Sequence, residues 1–558
     1  MKPCHKAAGL ACGSCKLVQY CSKECQKAHW REHKVQCKSP LMQPKYVPAW
    51  VREGRTPRFI DNDAPFVSFG QRRFLWGNVP ALDIMKMKDN EGLKDLGRDI
   101  SLLFAASGDC RNVIKTIISL PEGYTGRCTA VLNDRDFAVV ARNVILLLSA
   151  LHFDPGVSAP VMIHLWYSAL IPAIMLETLQ REILPYIEDV CAKVKGKSAK
   201  SIQAKTFNFS NGSLRLLLKK EQWFQLASFF KVPKGLTCES AAKLRVQTTL
   251  NPDRKDHLDR ALYTRPPGQR KGCWKFRAEG ILLPFGCSTK EFDMPNPTLF
   301  QELGEWPMTD SADPLNGWLH AEYMPHATIA KADVYGSLFF FLRDLFLKFC
   351  NRVHKTSILF HLYNMDAREL PEYLLPGGRA FDRIEIANTC DRGYIGPEIT
   401  LSTFAPLLQP KAQNPKATLL MLFLNATGEK ENQLGNLYGT ADLPRRMKRL
   451  LDLIGPDTDI MTRIAMGDET VKNDPEFLRR SNLHNMFANF DELFDLFSKD
   501  VRMNDLAKAN RVKTKRQHSL IEKWPYRVTK STSRNCFDIM CASSLSGWER
   551  YVEFERAE

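Results

Sequence analysis

Seven metal-type ligands crowd the first 37 residues, and their spacing constrains the chain more than any other feature. They run Cys4-x7-Cys12-x2-Cys15-x5-Cys21-x3-Cys25-x7-His33-x3-Cys37. Zinc takes four tetrahedral N/S ligands, and Cys residues two or three apart can bite one ion. Gln26 to Cys37 contains no Gly or Pro and reads as a helix. On that helix His33 and Cys37 are i,i+4, so they share a face and can bind one ion together. Structural zinc alone can stabilise so small a module.

Six of the 16 Cys belong to this cluster. The other ten, Cys110, Cys128, Cys191, Cys238, Cys273, Cys287, Cys350, Cys390, Cys536 and Cys541, are scattered singly and read as small buried hydrophobes. The start, Met1-Lys2-Pro3-Cys4-His5, has no apolar segment of the kind a signal peptide needs. The longest apolar stretch, Val161 to Leu176, is interrupted by His164 and Pro172. It falls short of the ~20 residues of a membrane span. The expectation is an intracellular protein of cytoplasm or nucleus, off the membrane, with Cys as thiols or metal ligands and not bridges.

Tyr20-Cys21-Ser22-Lys23-Glu24-Cys25-Gln26, followed by Trp30, His33 and Cys37, resembles a MYND-type zinc finger. The resemblance covers residues 1–37 and implies two zinc ions in a cross-braced arrangement. By position, Cys12, Cys15, His33 and Cys37 would complete one site. Cys4, Cys21 and Cys25 would supply three ligands of the other. Met1 stands where the family normally has its first Cys, and a thioether is a poor zinc ligand. His5, the α-amino group, water or a residue upstream of Met1 is left for that place. One firm and one weaker zinc are therefore expected. The resemblance also implies a protein or short, often Pro-containing peptide as partner. Nucleic acid is the rival, because residues 1–40 carry a net charge of +6. A zinc that only staples the fold is the third alternative.

The 558 residues suggest two to four domains. Residues 1–38 form the finger. Residues 39–69 form a linker punctuated by Pro40, Pro44, Pro48, Pro57 and Pro65, a composition that favours extended chain. In 70–155, Ser101–Ala106 reads as a strand, Arg111–Ser119 as a helix, Thr129–Leu132 as a second strand and Val139–Leu151 as a second helix. That is a βαβ pattern with a parallel sheet. Residues 156–235 read as helical, broken by Pro172 and the polar stretch 193–205. Residues 236–430 continue the α/β body, loop-rich to 330. A strong amphipathic helix follows at Gly336–Cys350, with strands at Ile358–Leu362, Arg383–Ala387 and Thr418–Leu424. Residues 431–558 read as helical, with a basic arm at 508–534 of net charge +8.

The body carries a second resemblance. Leu75-Trp76-Gly77-Asn78-Val79-Pro80-Ala81-Leu82-Asp83, then Leu102 to Val113, then Leu132-Asn133-Asp134-Arg135-Asp136 and Ala141-Arg142-Asn143 are similar to the uncharacterised domain that accompanies MYND fingers in fungi. A related domain opens a dynein axonemal assembly factor. Asp313-Pro314-Leu315-Asn316-Gly317-Trp318 and Phe381-Asp382-Arg383-Ile384 fit the same group. Leu102–Val113 also resembles the first strand–loop–helix of a Rossmann-like methyltransferase, where a Gly-rich loop admits the cofactor backbone. On that reading Gly108 is the loop, Asp109 lies beside it, and Asp134 or Asp136 takes the ribose hydroxyls of S-adenosylmethionine. Phe381–Ile384, before Asn388, would then sit at the catalytic edge of a later strand. Gly108 equally fits a tight turn in which Asp109 and Arg111 pair locally.

Other chemistry is excluded. No G-x-S-x-G elbow is present, and Gly196-Lys197-Ser198 lacks the earlier Gly of a P-loop, which is Cys191. The SET signatures of MYND-bearing lysine methyltransferases are absent. His152, His164, His320, His326 and His361 stand singly and read as packed or surface residues. The arm 508–534 interleaves Trp524 and Tyr526 with its charges, a pattern that suits nucleic acid or a solvated face. The expectation is a zinc-binding α/β protein with a MYND finger and a methyltransferase-like body acting as a non-catalytic adaptor. A targeted S-adenosylmethionine-dependent enzyme is the alternative, and a nucleic-acid binder the second.

Overall fold

The computed structural model describes residues 6–61, 69–302, 304–327, 329–374 and 380–557. At the N-terminus a small hairpin, β1 (Leu10–Ala11) and β2 (Gln19–Tyr20), precedes helix α1 (Lys23–Cys37). The body is built on β3 (Ile100–Phe104), α2 (Arg111–Ser119), β4 (Cys128–Asp134), α3 (Phe137–His152) and α4 (Pro155–Tyr167). A hairpin follows, β5 (Ile202–Asn208) and β6 (Gly212–Lys219). Then come α5 (Val334–Lys355), β7 (Ile358–Asn364), β8 (Arg383–Glu385) and β9 (Thr418–Phe423). Two late strands, β10 (Val512–Thr514) and β11 (Arg550–Arg556), close the list.

Nine strands form one mixed sheet in the order β10-β11-β9-β8-β3-β4-β7-β6-β5. β3, β4, β6, β7, β8 and β9 run parallel. β11 is antiparallel to both β9 and β10, and β5 is antiparallel to β6. The chain moves outward from β3 through β4 and β7 on one side, and through β8 and β9 on the other. The order thus reverses between β3 and β8, where Leu102 faces Arg383 and Phe104 faces Glu385.

Both faces are covered, as parallel strands with near-continuous apolar runs require. Leu102, Phe104 and Ala130 point to the core shared by α2, α3, α4 and α5. Leu103, Val131 and Ile384 point to the opposite core, with Leu401, Phe404 and Phe497. In α3 every residue from Val139 to Leu151 is buried, Arg142 and Asn143 included.

Several expectations change. Residues 157–230 are not helical throughout, since β5 and β6 lie inside them. The last hundred residues are not only helical: β10 and β11 complete the main sheet. Residues 236–330 hold three helices of nine residues or more, at Cys238–Thr249, Lys255–Tyr263 and Pro267–Glu279, and a short one at His320–Tyr323. The Pro-rich segment packs on the body instead of extending away from it. Trp50 is buried, and Asp259 accepts from the Tyr46 hydroxyl at 2.7 Å and the Ala49 N–H at 2.6 Å. Among the described residues no helix is long and apolar enough to cross a membrane.

Candidate metal centre and the strand-end loop

Cys12 and Cys15 sit in the turn of the N-terminal hairpin. The Cys12 N–H donates to the Val18 carbonyl at 3.0 Å, and the Lys16 N–H to the Cys12 carbonyl at 2.9 Å. Lys16 takes φ +53°, which folds the turn back so that the Leu17 N–H reaches Cys15 Sγ at 3.5 Å. Ser22 caps α1 by accepting the Cys25 N–H at 3.3 Å. One helical turn apart, His33 and Cys37 are the buried residues of α1.

These elements bring Cys12, Cys15, His33 and Cys37 together, with all four donor atoms within 4.8 Å of one another. Tetrahedral zinc with Zn–S near 2.3 Å requires donor separations of about 3.8 Å. Cys12 Sγ lies 3.8 Å from Cys37 Sγ, and Cys15 Sγ lies 3.3 Å from His33 Nε2. The donor set and its spacing fit zinc. Burial pushes the Cys15 thiol up to about 12, an effect a cation in the cluster offsets. Burial and the nearby His29 hold His33 below its ordinary range, so its imidazole is neutral and available as a ligand.

Of the second predicted set, Cys21 and Cys25 are paired, Sγ to Sγ, at 3.1 Å. Cys4, with Met1 and His5, lies outside the described residues. On the outer side of the finger Leu10, Trp30 and Val35 are 41, 39 and 67 % exposed. On its inner side Leu17 and Val18 pack against Phe285, and the Ala332 N–H donates to the Lys16 carbonyl at 3.1 Å. A Cβ on Gly286 would stand 2.8 Å from Val18 Cγ1, so the close approach needs glycine.

The loop after β3 is the other predicted site. Gly108 has φ +54°, and a Cβ there would meet no described atom within 4 Å. Its N–H donates to Asp134 Oδ2 at 3.0 Å, and its carbonyl accepts from Asn143 Nδ2 at 2.8 Å. Asp134 also accepts the Asp136 N–H at 2.8 Å, and burial raises its carboxyl above the ordinary range. Asp136 caps α3 through the Ala138 N–H at 2.9 Å. Asp109 is buried, pairs with Arg111 Nη1 at 2.6 Å and accepts the Gly77 N–H at 2.7 Å. Arg111 Nε donates to the Val79 carbonyl at 2.9 Å. The segment 75–84 is thereby strapped across the loop and α2. Leu82 and Ile84 N–H groups donate to Asn112 Oδ1 at 3.2 Å and Thr116 Oγ1 at 3.1 Å. The Trp76 indole donates to the Trp166 carbonyl at 2.6 Å.

Sequence reasoning missed Glu385. It ends β8 beside the loop, fully enclosed, with its carboxyl pushed up to about 7 by burial against the opposing pull of Arg111. Its Oε1 accepts the Ala387 N–H at 2.9 Å, while Oε2 has no hydrogen-bond partner among the described residues. An acid inside the predicted strand Arg383–Ala387 was the available signal. Asn388 lies in the short turn Ala387–Cys390. In the basic arm, Trp524 packs on Phe490 and Phe494 and its N–H goes to Asp491 at 2.8 Å.

The donor cluster agrees with the comparison against known families. Residues 2–37 are a MYND finger. Such fingers bind zinc and mediate protein interactions. Residues 75–171, from the strap through α4, match a family described only as a domain of unknown function, DUF4470. The SET domain and MYND-type zinc finger protein 6 of Schizosaccharomyces pombe (strain 972 / ATCC 24843) is 57% identical over 35 residues. That match covers 6% of this chain and 7% of that protein. No solved structure matches the chain.

Proposed function

We propose that this protein is a zinc-dependent adaptor: its MYND finger captures a partner peptide, and its Rossmann-like body serves as a scaffold of the kind found beside such fingers in fungi. The observation that carries the reading is that the finger buries its four clustered donors yet leaves large apolar side chains exposed. The Cys12, Cys15, His33 and Cys37 donors point inward and are buried, while Leu10, Trp30 and Val35 remain exposed. Cys4, Cys21 and Cys25 supply the second, weaker zinc on this proposal. When bound, zinc supplies the tetrahedral bond set that fixes the hairpin to α1.

The strand order supports the Rossmann-like part. From β6 to β10 the strands running with β3 read third, fourth, second, first, fifth, sixth, seventh, with antiparallel β11 between the last two; with β6 set aside, the other six read third, second, first, fourth, fifth, sixth. This order also favours a second reading, a methyltransferase using the Gly108, Asp109 and Asp134 loop for S-adenosylmethionine. Against catalysis stands the use of that loop's polar groups: Asp109 is held by Arg111 and Gly77, and Asp134 by two backbone N–H groups.

Fluorescence anisotropy of the zinc-loaded chain with Pro-containing peptides tests the adaptor. Binding should be lost in Trp30→Ala while the zinc content stays unchanged; a variant that binds as well as the parent sinks the reading. Calorimetry with S-adenosylmethionine tests the body. No saturable heat at millimolar cofactor is expected, and saturable binding abolished by Asp134→Ala would establish the enzyme instead.

A further inference from the structure

A large feature that the finger and the strand-end loop leave unused is a cleft between the body and the C-terminal helices. Two cavities, of about 680 and 1360 Å³, share Tyr263, Thr264, Arg479, Met540 and Ser543 in their walls and so form one space. Ligand pockets of small molecules usually occupy roughly 300–1,000 Å³ and favour such boundaries. One wall comes from Lys255–Tyr263 and residues 315–324, the other from Pro475–Leu483 and Arg534–Cys541.

Cations outnumber carboxylates in the lining of the larger cavity, although Lys115, Arg265 and Arg527 are each paired with an acid. Lys86, Lys115, Arg265, Arg479, Arg527 and Arg534 line it, against three carboxylates. Two guanidinium groups are fixed side by side on one carboxylate: Asp538 accepts from Arg479 Nη2 at 3.2 Å and from Arg534 Nε at 2.9 Å. Glu476 holds Arg479 from the other side at 3.1 Å. Each guanidinium has five N–H donors, so these bonds and that of Arg534 Nη1 to the Ile454 carbonyl at 3.0 Å leave others for phosphate oxygens. The wall is also unsatisfied. Arg265 Nε, Arg479 Nε, His320 Nε2 and Glu322 Oε2 are buried and lack a hydrogen-bond partner among the described residues. Groups of that kind call for an explanation. Tyr263, Trp318, Tyr323 and Tyr526 give the same cavity aromatic surface.

We infer that this cleft binds a phosphate-bearing small molecule of the nucleotide class. The Arg479 and Arg534 pair takes the phosphate, and the aromatic wall takes the base, for which stacking is sequence-tolerant. The inference does not depend on the peptide-binding reading of the finger.

Calorimetric titration of the zinc-loaded full chain tests it, with AMP, ATP, adenosine and inorganic phosphate as separate probes. AMP or ATP should bind saturably with one-to-one stoichiometry and raise the melting temperature. Adenosine and phosphate alone should each bind at least about tenfold more weakly. Arg534→Gln, at a half-exposed side chain, should fold normally and lose about tenfold in nucleotide affinity. Arg479→Gln should lose at least as much. Absence of saturable nucleotide binding at millimolar concentration overturns the proposal. So does unchanged affinity in both variants, or phosphate binding as tightly as AMP, which would make the cleft a simple anion site.

Discussion

Cys15 Sγ stands 3.3 Å from His33 Nε2 inside a buried four-donor cluster, so its hydroxyl replacement leaves three good ligands and a poor one. Cys15→Ser should release the firm zinc, and native mass spectrometry should then show one ion fewer. Cys21→Ser should leave that ion in place, because Cys21 stands by Cys25 and the four clustered donors are Cys12, Cys15, His33 and Cys37. The cluster of Cys12, Cys15, His33 and Cys37 was legible in the sequence because metal chemistry fixes both residue type and spacing. Glu385 was not, because an acid within a predicted strand does not reveal what surrounds it. Burial pushes its carboxyl up to about 7. The native state therefore holds a proton that the unfolded chain has lost across roughly pH 4.5 to 7, and stability falls as pH rises through that window. Glu385→Gln removes this penalty. Relative to the parent it should gain at pH 8 compared with pH 5, by up to about 3 kcal/mol. Paired denaturant titrations at the two pH values measure the difference, and equal effects at both would refute it.

At the scale of elements, the strap 75–84 and helix α2 interlock through few atoms. A Cβ on Gly77 would fall 1.9 Å from the Arg111 guanidinium. Gly77→Ala must therefore push Arg111 out of its contacts with Asp109 and the Val79 carbonyl, leaving a buried carboxylate short of a partner. A loss of about 2–3 kcal/mol is expected, read from the urea midpoint of the body's transition. Arg111→Ala should cost about 3–5 kcal/mol, and adding Asp109→Asn should recover part of it, since the two residues form one unit. Helix α2 itself was legible from its 3.6-residue periodicity, with Val113, Ile114 and Ile117 on the inner face. The β5–β6 hairpin was obscured by the surrounding helices, although Asn211-Gly212 is a strong turn signal. Strand β11 was hidden by its charges. Glu553 is fully buried there because Lys515 and the Ser519 and Leu520 N–H groups come from the arm to meet it. No local pattern carries that information. The same arm puts Lys515 and Trp524 to internal use, so its net charge overstates what it offers to nucleic acid.

At the scale of the whole molecule, the finger is seated on the body rather than hung from it. The turn that carries Cys12 and Cys15 also carries Leu17 and Val18, which pack on Phe285 and over Gly286, and the Lys16 carbonyl that receives the Ala332 N–H. That turn is small, and its own apolar contacts are few, so the metal bonds decide whether it keeps its shape. The strands of the body lie in two separate apolar cores that include none of the finger's ligands. Chelation should therefore act locally. Hydrogen exchange after zinc removal should accelerate in residues 10–37 and in the two segments they touch, near 283–287 and 330–334. Protection in β3, β4 and β7 should remain, because local opening spreads only through shared packing. Exchange that rises together across the sheet would mean the finger holds up the body. Unchanged exchange at 283–287 and 330–334 would mean the contact with Phe285 and Ala332 does not depend on metal.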